Sequence, residues 1–192
     1  MNSDYLLRNI YHYYPFMYER NDASKKNLRI KKISSKLIYK KELLEHIEKL
    51  ADSYTVVDWT DNESCCYEFK ILLHKNIPIL DDDKILIKKL HGTRKDLRIF
   101  ISVLQPCYYL FEEKTTYLEA EGKWNFTIIN SHSWEYQKLI QKINDYLSQN
   151  GYMELSDSEV QTLVPDVETH YKEAGKATIF DCLFTDLVSL SI

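Results

Sequence analysis

Asp96-Leu97-Arg98-Ile99-Phe100-Ile101-Ser102-Val103-Leu104-Gln105-Pro106-Cys107-Tyr108-Tyr109-Leu110-Phe111 is the stretch on which the fold turns. From Leu97 to Leu104 it is a β-branched and aromatic run in which only Arg98 and Ser102 are polar. A strand that is apolar on both sides of its pleat needs cover on both faces, which places it at the centre of a sheet. Pro106 has no amide hydrogen to donate, so it ends that strand, marks a bulge or lies on an edge, with Tyr108 to Phe111 continuing the sheet beyond it.

Outward from this run, Cys65, Tyr67, Phe69, Ile71 and Leu73 alternate with Cys66, Glu68, Lys70, Leu72 and His74. That period of two predicts a half-buried strand, which can pair as a hairpin with a strand over Tyr54 to Trp59. Thr115 to Leu118 and Trp124 to Ile129 flank Glu121-Gly122-Lys123, a second hairpin signal. A short, exposed, basic strand is expected at Leu28 to Lys32, after a polar loop at Asn21 to Lys26. The apolar run Ala177 to Phe184 reads as a strand that returns to the sheet.

Helices are predicted where the apolar spacing changes to three and four. Leu6, Leu7, Ile10, Tyr11 and Tyr14 mark residues 4–14. Leu43, Leu44, Ile47, Leu50 and Ala51 mark residues 40–52. Tyr136, Leu139, Ile140, Ile143, Tyr146 and Leu147 mark residues 134–150, with Ser133 as cap and Asn150-Gly151 as stop. A short helix is expected within Ser156 to Val164. Another is expected through Val167, Tyr171 and Ala174, between Pro165 and Gly175. The fold class is therefore α+β: one domain over residues 1–192, a mainly antiparallel sheet of about five to seven strands with helices packed on it.

Only four glycines and four prolines in 192 residues leave little room for linkers, whereas fifteen tyrosines point to half-buried rings and a binding surface. No apolar run approaches the roughly 18 residues of a membrane span, and Met1-Asn2-Ser3-Asp4 lacks a basic-then-apolar leader pattern, so a cytoplasmic protein without membrane contact is expected. Cys65, Cys66, Cys107 and Cys182 lie in apolar runs and are expected to be reduced and buried. Charge is unevenly spread. Residues 1–50 carry 11 basic and 6 acidic side chains, residues 51–150 carry 12 and 15, and residues 151–192 carry 2 and 8. An acidic C-terminal quarter favours a basic protein partner over nucleic acid, and the basic cluster near Arg29 fits a solvated edge.

No catalytic pattern stands out. Cys65 and Cys66 would point to opposite faces of a strand, no Cys-x-x-Cys or His-Glu-x-x-His occurs, and Asp81-Asp82-Asp83 lacks a calcium loop's glycine and distal glutamate. The six histidines lie outside any motif, and there is no nucleophile elbow, phosphate loop or dinucleotide fingerprint. Neither a metal nor a cofactor is expected, and no residue is assigned a catalytic role.

Val164-Pro165-Asp166-Val167-Glu168-Thr169, followed by Ala177-Thr178-Ile179-Phe180-Asp181-Cys182-Leu183-Phe184-Thr185-Asp186, resembles the endings of immunity proteins of bacterial polymorphic toxin systems. The tyrosine-rich, glycine-poor, acidic α+β layout resembles them too. The resemblance implies a non-enzymatic protein that binds a secreted toxin domain stoichiometrically and blocks its active site. Asp166, Glu168, Glu173 and Asp186 are the first candidates for the partner contact, and Asp81, Asp82 and Asp83 the second. The alternative is a small enzyme or ligand-binding domain with an unrecognised pocket. A deep cleft with converging histidine and carboxylate groups would favour it.

Overall fold

A computed structural model describes residues 3–15, 22–74, 83–129, 136–187 and 190. Its elements are α1 (Ser3–Ile10), α2 (Ala23–Ala51), β1 (Thr55–Asp58), β2 (Cys66–Leu72), α3 (Asp83–Lys89), β3 (Thr93–Ser102), β4 (Cys107–Leu118), β5 (Lys123–Ile129), α4 (Gln137–Gln149), β6 (Met153–Glu154), α5 (Asp157–Val160) and α6 (Ile179–Leu183). The strands form one six-stranded sheet in the order β1-β2-β3-β4-β5, every neighbour antiparallel, and β6 pairs in parallel with the start of β4. The fold is thus α+β, with β3 in the middle as its apolar run requires.

Alternation along β3 explains the two cores. Leu97, Ile99 and Ile101 point to the face covered by α2 and α4, where they meet Phe69, Leu110, Leu43, Ile47, Ile143 and Leu147. Phe100 points to the opposite face, against Tyr109, Phe111 and the C-terminal segment carrying Val164, Phe180 and Phe184. All four of these β3 side chains are 0% exposed. Pro106 lies in the tight reversal between β3 and β4, where the Ser102 hydroxyl accepts from the amides of Leu104 and Gln105 at 3.2 and 3.4 Å. The opening stretch is therefore a hairpin, and Tyr108 to Phe111 lie on its returning arm.

Four expectations are corrected. Residues 23–51 form one 29-residue helix, so the basic strand expected at Leu28 to Lys32 is helical, as are residues 23–26 of the loop expected before it, and Asn21 lies outside the described residues. Asp22 caps this helix through the amides of Ser24 and Lys25, and alternation over only Leu28 and Ile30 was too short a pattern to outweigh that cap. Lys36, 1% exposed, anchors it further by donating to the carbonyl and hydroxyl oxygens of Ser64 at 2.9 and 3.3 Å. β2 is buried on both faces rather than half-buried, because α2 covers one face and an ionic network fills the other.

The third correction concerns residues 165–175, which are irregular, since Asp166 takes a left-handed φ of 59° and Tyr171 is 60% exposed where a helix stripe would bury it. The fourth concerns Ala177 to Phe184, which contain α6 in place of a strand. Thr178 and Asp181 make reciprocal bonds that start the helix, and its five residues are all buried. An isolated bridge, Leu163 to Thr178, is the one β contact of this segment among the described residues.

The remaining expectations agree in outline. The Gly122 hairpin joins β4 to β5, and the Asn150-Gly151 stop follows α4, Gly151 standing at φ 80°. The proposed Ser133 cap lies outside the described residues; Tyr136 occupies the cap position, and its side chain does not cap the helix. The four cysteines are free and buried. Among the described residues, no helix is long and apolar enough to cross a membrane.

Burial of tyrosines gives the protein an alkaline limit. Desolvation raises the phenols of Tyr67 and Tyr108 to about 12, and Tyr14 and Tyr109 are raised as well. A folded pKa above the unfolded value of 10.0 means that this stability is complete below pH 10 and is lost as pH rises through about 12. In an absorbance titration of tyrosinate, these four rings are expected to ionise together with loss of circular dichroism. Ionisation of all fifteen tyrosines as one simple group, before unfolding, would contradict this.

Candidate functional site

The C-terminal segment covers only part of its sheet face. Over the Arg94 to Arg98 half of β3 lies a cavity of about 1050 Å³. Its walls are mostly apolar, with Val57 of β1, Trp59 just after it, Leu86 of α3, Phe126 and Ile128 of β5, and Leu187, but Asp58 and Asp61 also line it. Its floor is ionic, built by every second residue of three adjacent strands.

Register decides how the floor is wired. Lys70 stands directly opposite Arg98, and Asp96 directly opposite Glu113, so the facing pairs carry like charges. The attractive contacts run on the diagonals, along β3 between Arg94 and Asp96, and across it from Lys70 to Glu113. Arg98 bonds Glu68 through Nη2 and Glu113 through Nη1, the latter at 2.9 Å. Lys70 Nζ lies 3.1 Å from Asp96 Oδ2 and 3.5 Å from Glu113 Oε2, while Arg94 Nε donates to Asp96 Oδ2 at 2.8 Å. The result is one chain, Glu68-Arg98-Glu113-Lys70-Asp96-Arg94, with three cations and three anions. Asp96 is fully buried beneath it.

Two titratable groups at this floor are shifted. Desolvation raises the Glu68 carboxyl above its usual range, with Arg98 opposing. Desolvation also lowers the imidazole of His74, with Asp96 opposing, so His74 is neutral at pH 7. The Lys70 ammonium sits 5.7 Å from the centre of the Trp59 ring. A histidine and carboxylates thus converge in a concave site, the arrangement expected of a ligand pocket.

The acidic residues singled out from the sequence lie elsewhere. Asp166, Glu168 and Glu173 are exposed on the irregular C-terminal segment, which Val164, Val167 and Ala177 anchor to the core. Glu173 pairs with Lys176 at 2.6 Å. Asp186 is half-buried and accepts the Tyr171 amide at 2.8 Å beside a small pocket that also contains Arg29. The four share one segment but lie outside the cavity lining. Asp81 and Asp82 fall outside the described residues, and Asp83 opens α3. Among the described residues, no group of three or more histidine, cysteine or acidic side chains is placed to hold a metal.

Glu68 and Lys70 alternate with Tyr67, Phe69 and Ile71, and Arg98 stands between Leu97 and Ile99, the pattern of a solvent-facing strand side, which hides them as a site in the sequence. The signal available was that these charges lie beside the most apolar run of the chain. Compared with protein-family models, curated proteins and solved structures, the chain matches none.

Proposed function

We propose that the protein is a non-enzymatic binding protein that neutralises a bacterial toxin domain by stoichiometric association. The observation that carries this reading is the C-terminal segment. Its apolar residues are locked into the core, while Asp166, Glu168 and Glu173 stay exposed beside two large exposed side chains, Leu163 at 57% and Tyr171 at 60%. A held, acidic, partly apolar surface suits a basic partner cleft, with the aromatic ring as anchor and the carboxylates setting orientation and association rate.

The test starts with affinity capture from the native host and continues with titration of the captured protein. The expected result is a one-to-one complex that suppresses the captured protein's toxicity. Charge reversal at Asp166, Glu168 and Glu173 together is expected to weaken it at least about tenfold, equivalent to ~1.4 kcal/mol. An unchanged affinity would remove the acidic segment from the interface, and a non-toxic partner would remove the toxin reading. The cavity favours a second reading, a ligand-binding domain whose polar floor is the recognition element.

A further inference from the structure

The two outer strands of the sheet, β1 and β5, have unlike edges. β1 has four residues and ends in Asp58, which pairs with Lys40 at 2.7 Å. Short length and charge are the ordinary protection of an edge strand. β5 runs for seven residues, Lys123-Trp124-Asn125-Phe126-Thr127-Ile128-Ile129, in an unbroken register with β4 that contains no bulge. Lys123, at its first position, is its one charge, and it has no proline. Among the described residues, no backbone group of 123–129 bonds outside the pairing with β4. Alternate amides and carbonyls therefore face outward unpaired, a row that matches the edge of another strand.

The side chains on this edge narrow which strand fits. Trp124, Phe126 and Ile128 stand on the cavity face, and Phe126 is 56% exposed. Asn125 and Thr127, exposed and uncharged, stand on the other face. An antiparallel copy of β5 centred on Phe126 sets Phe126 against Phe126, Trp124 against Ile128, and Asn125 against Thr127. Aromatic, aromatic with β-branched, and polar facing pairs are all favourable across antiparallel strands. The same arrangement puts the two copies of Lys123 at opposite ends, about 20 Å apart, beyond the ~8 Å over which exposed charges act at physiological salt. The strand is complementary to itself, with no like charges opposed.

We propose that β5 pairs with β5 of a second copy of this chain, joining the two sheets into one across a two-fold axis. Such a contact uses the same patch on both copies and so closes at a dimer. The axis stands perpendicular to the sheet, which keeps both cavities on one side and continues the stripe of Trp124, Phe126 and Ile128 from one copy to the other. Phe126 and Ile128 line the cavity, so Phe126 of the second copy extends that wall where the sheet of a single chain stops. The inference is independent of the toxin-binding reading, because Asp166, Glu168 and Glu173 lie on a different segment.

The test is the molar mass of the full chain in solution, measured by light scattering over a dilution series, with amide hydrogen exchange followed in parallel. The expected result is a dimer that dissociates on dilution, with amides of residues 123–129 exchanging more slowly in the dimer than in the monomer. Phe126→Lys and Phe126→Glu each set like charges face to face, and each is expected to weaken the dimer at least about tenfold. Because the side chain is half in solvent, both variants are expected to keep the wild-type circular dichroism spectrum. Mixed in equal amounts, they are expected to recover the dimer, since lysine then faces glutamate. A wild-type chain that is monomeric at every concentration overturns the proposal, as does a dimer whose β5 amides gain no protection. A dimer that survives both single variants, or a mixture that associates no better than either variant alone, overturns it as well.

Discussion

Ile101→Asp is expected to yield no cooperatively folding protein. Ile101 is 0% exposed at the centre of β3, directly opposite Tyr67 on β2 and Tyr108 on β4. The substitution removes a buried aliphatic side chain, which alone costs about 2–5 kcal/mol. It also places a carboxylate in an apolar layer where no described cation faces it, adding several kcal/mol more. Against a net stability of about 5 to 15 kcal/mol, the sum leaves little or nothing. Ile101→Val, by contrast, should cost only about 0.5–1.5 kcal/mol and retain the fold. The measurement is a thermal melt by circular dichroism with a solubility assay. Soluble, cooperatively melting Ile101→Asp protein would show that β3 is not the centre of the sheet.

The second large effect is expected at Asp96. Its Oδ2 is the acceptor for both Lys70 and Arg94, at 3.1 and 2.8 Å, in a fully buried position. Asp96→Ala leaves Lys70 with Glu113 at 3.5 Å as its remaining ion pair among the described residues, and the floor gains a net positive charge. Breaking a buried pair by removing one partner typically costs about 3–5 kcal/mol, far more than the pair's net contribution to an intact fold. Denaturant unfolding should therefore show a shift of that size. A companion substitution, Lys70→Met, should recover part of it by removing the stranded cation. A loss below about 1 kcal/mol, the scale of a solvated surface pair, would mean that the floor is open to water and not a desolvated network.

How far these features could be read from the chain varies with the residues concerned. The centre of the sheet was legible because eight residues from Leu97 to Leu104 leave few alternatives to a doubly covered strand. α4 was legible from its unbroken stripe, and the Gly122 hairpin from its turn. Legibility failed where the apolar pattern was short or continuous. Two residues, Leu28 and Ile30, could not distinguish an edge strand from the start of α2. The run from Ala177 to Phe184 has no period to separate strand from helix, and the informative signal was the polar pair Thr178 and Asp181 that caps α6. The candidate cavity was the least legible feature. Its charges become a network only when register sets Lys70 beside Asp96 and Arg98 beside both Glu68 and Glu113, and register is a tertiary property.

The Tyr14 hydroxyl donates to the Cys182 carbonyl at 2.8 Å across a sequence separation of 168 residues. Consecutive strands β1 to β5 instead pair with their immediate neighbours, the shortest join being the five steps from Leu118 to Lys123. Loop-closure entropy makes the long join costlier than that short one by about 3 kcal/mol, so it gains nothing by forming before the sheet. From this topology the meander is expected to condense first and the C-terminal segment to dock last. The cavity would then be walled and floored by the strands before Thr185, Leu187 and Leu190 arrive at its rim.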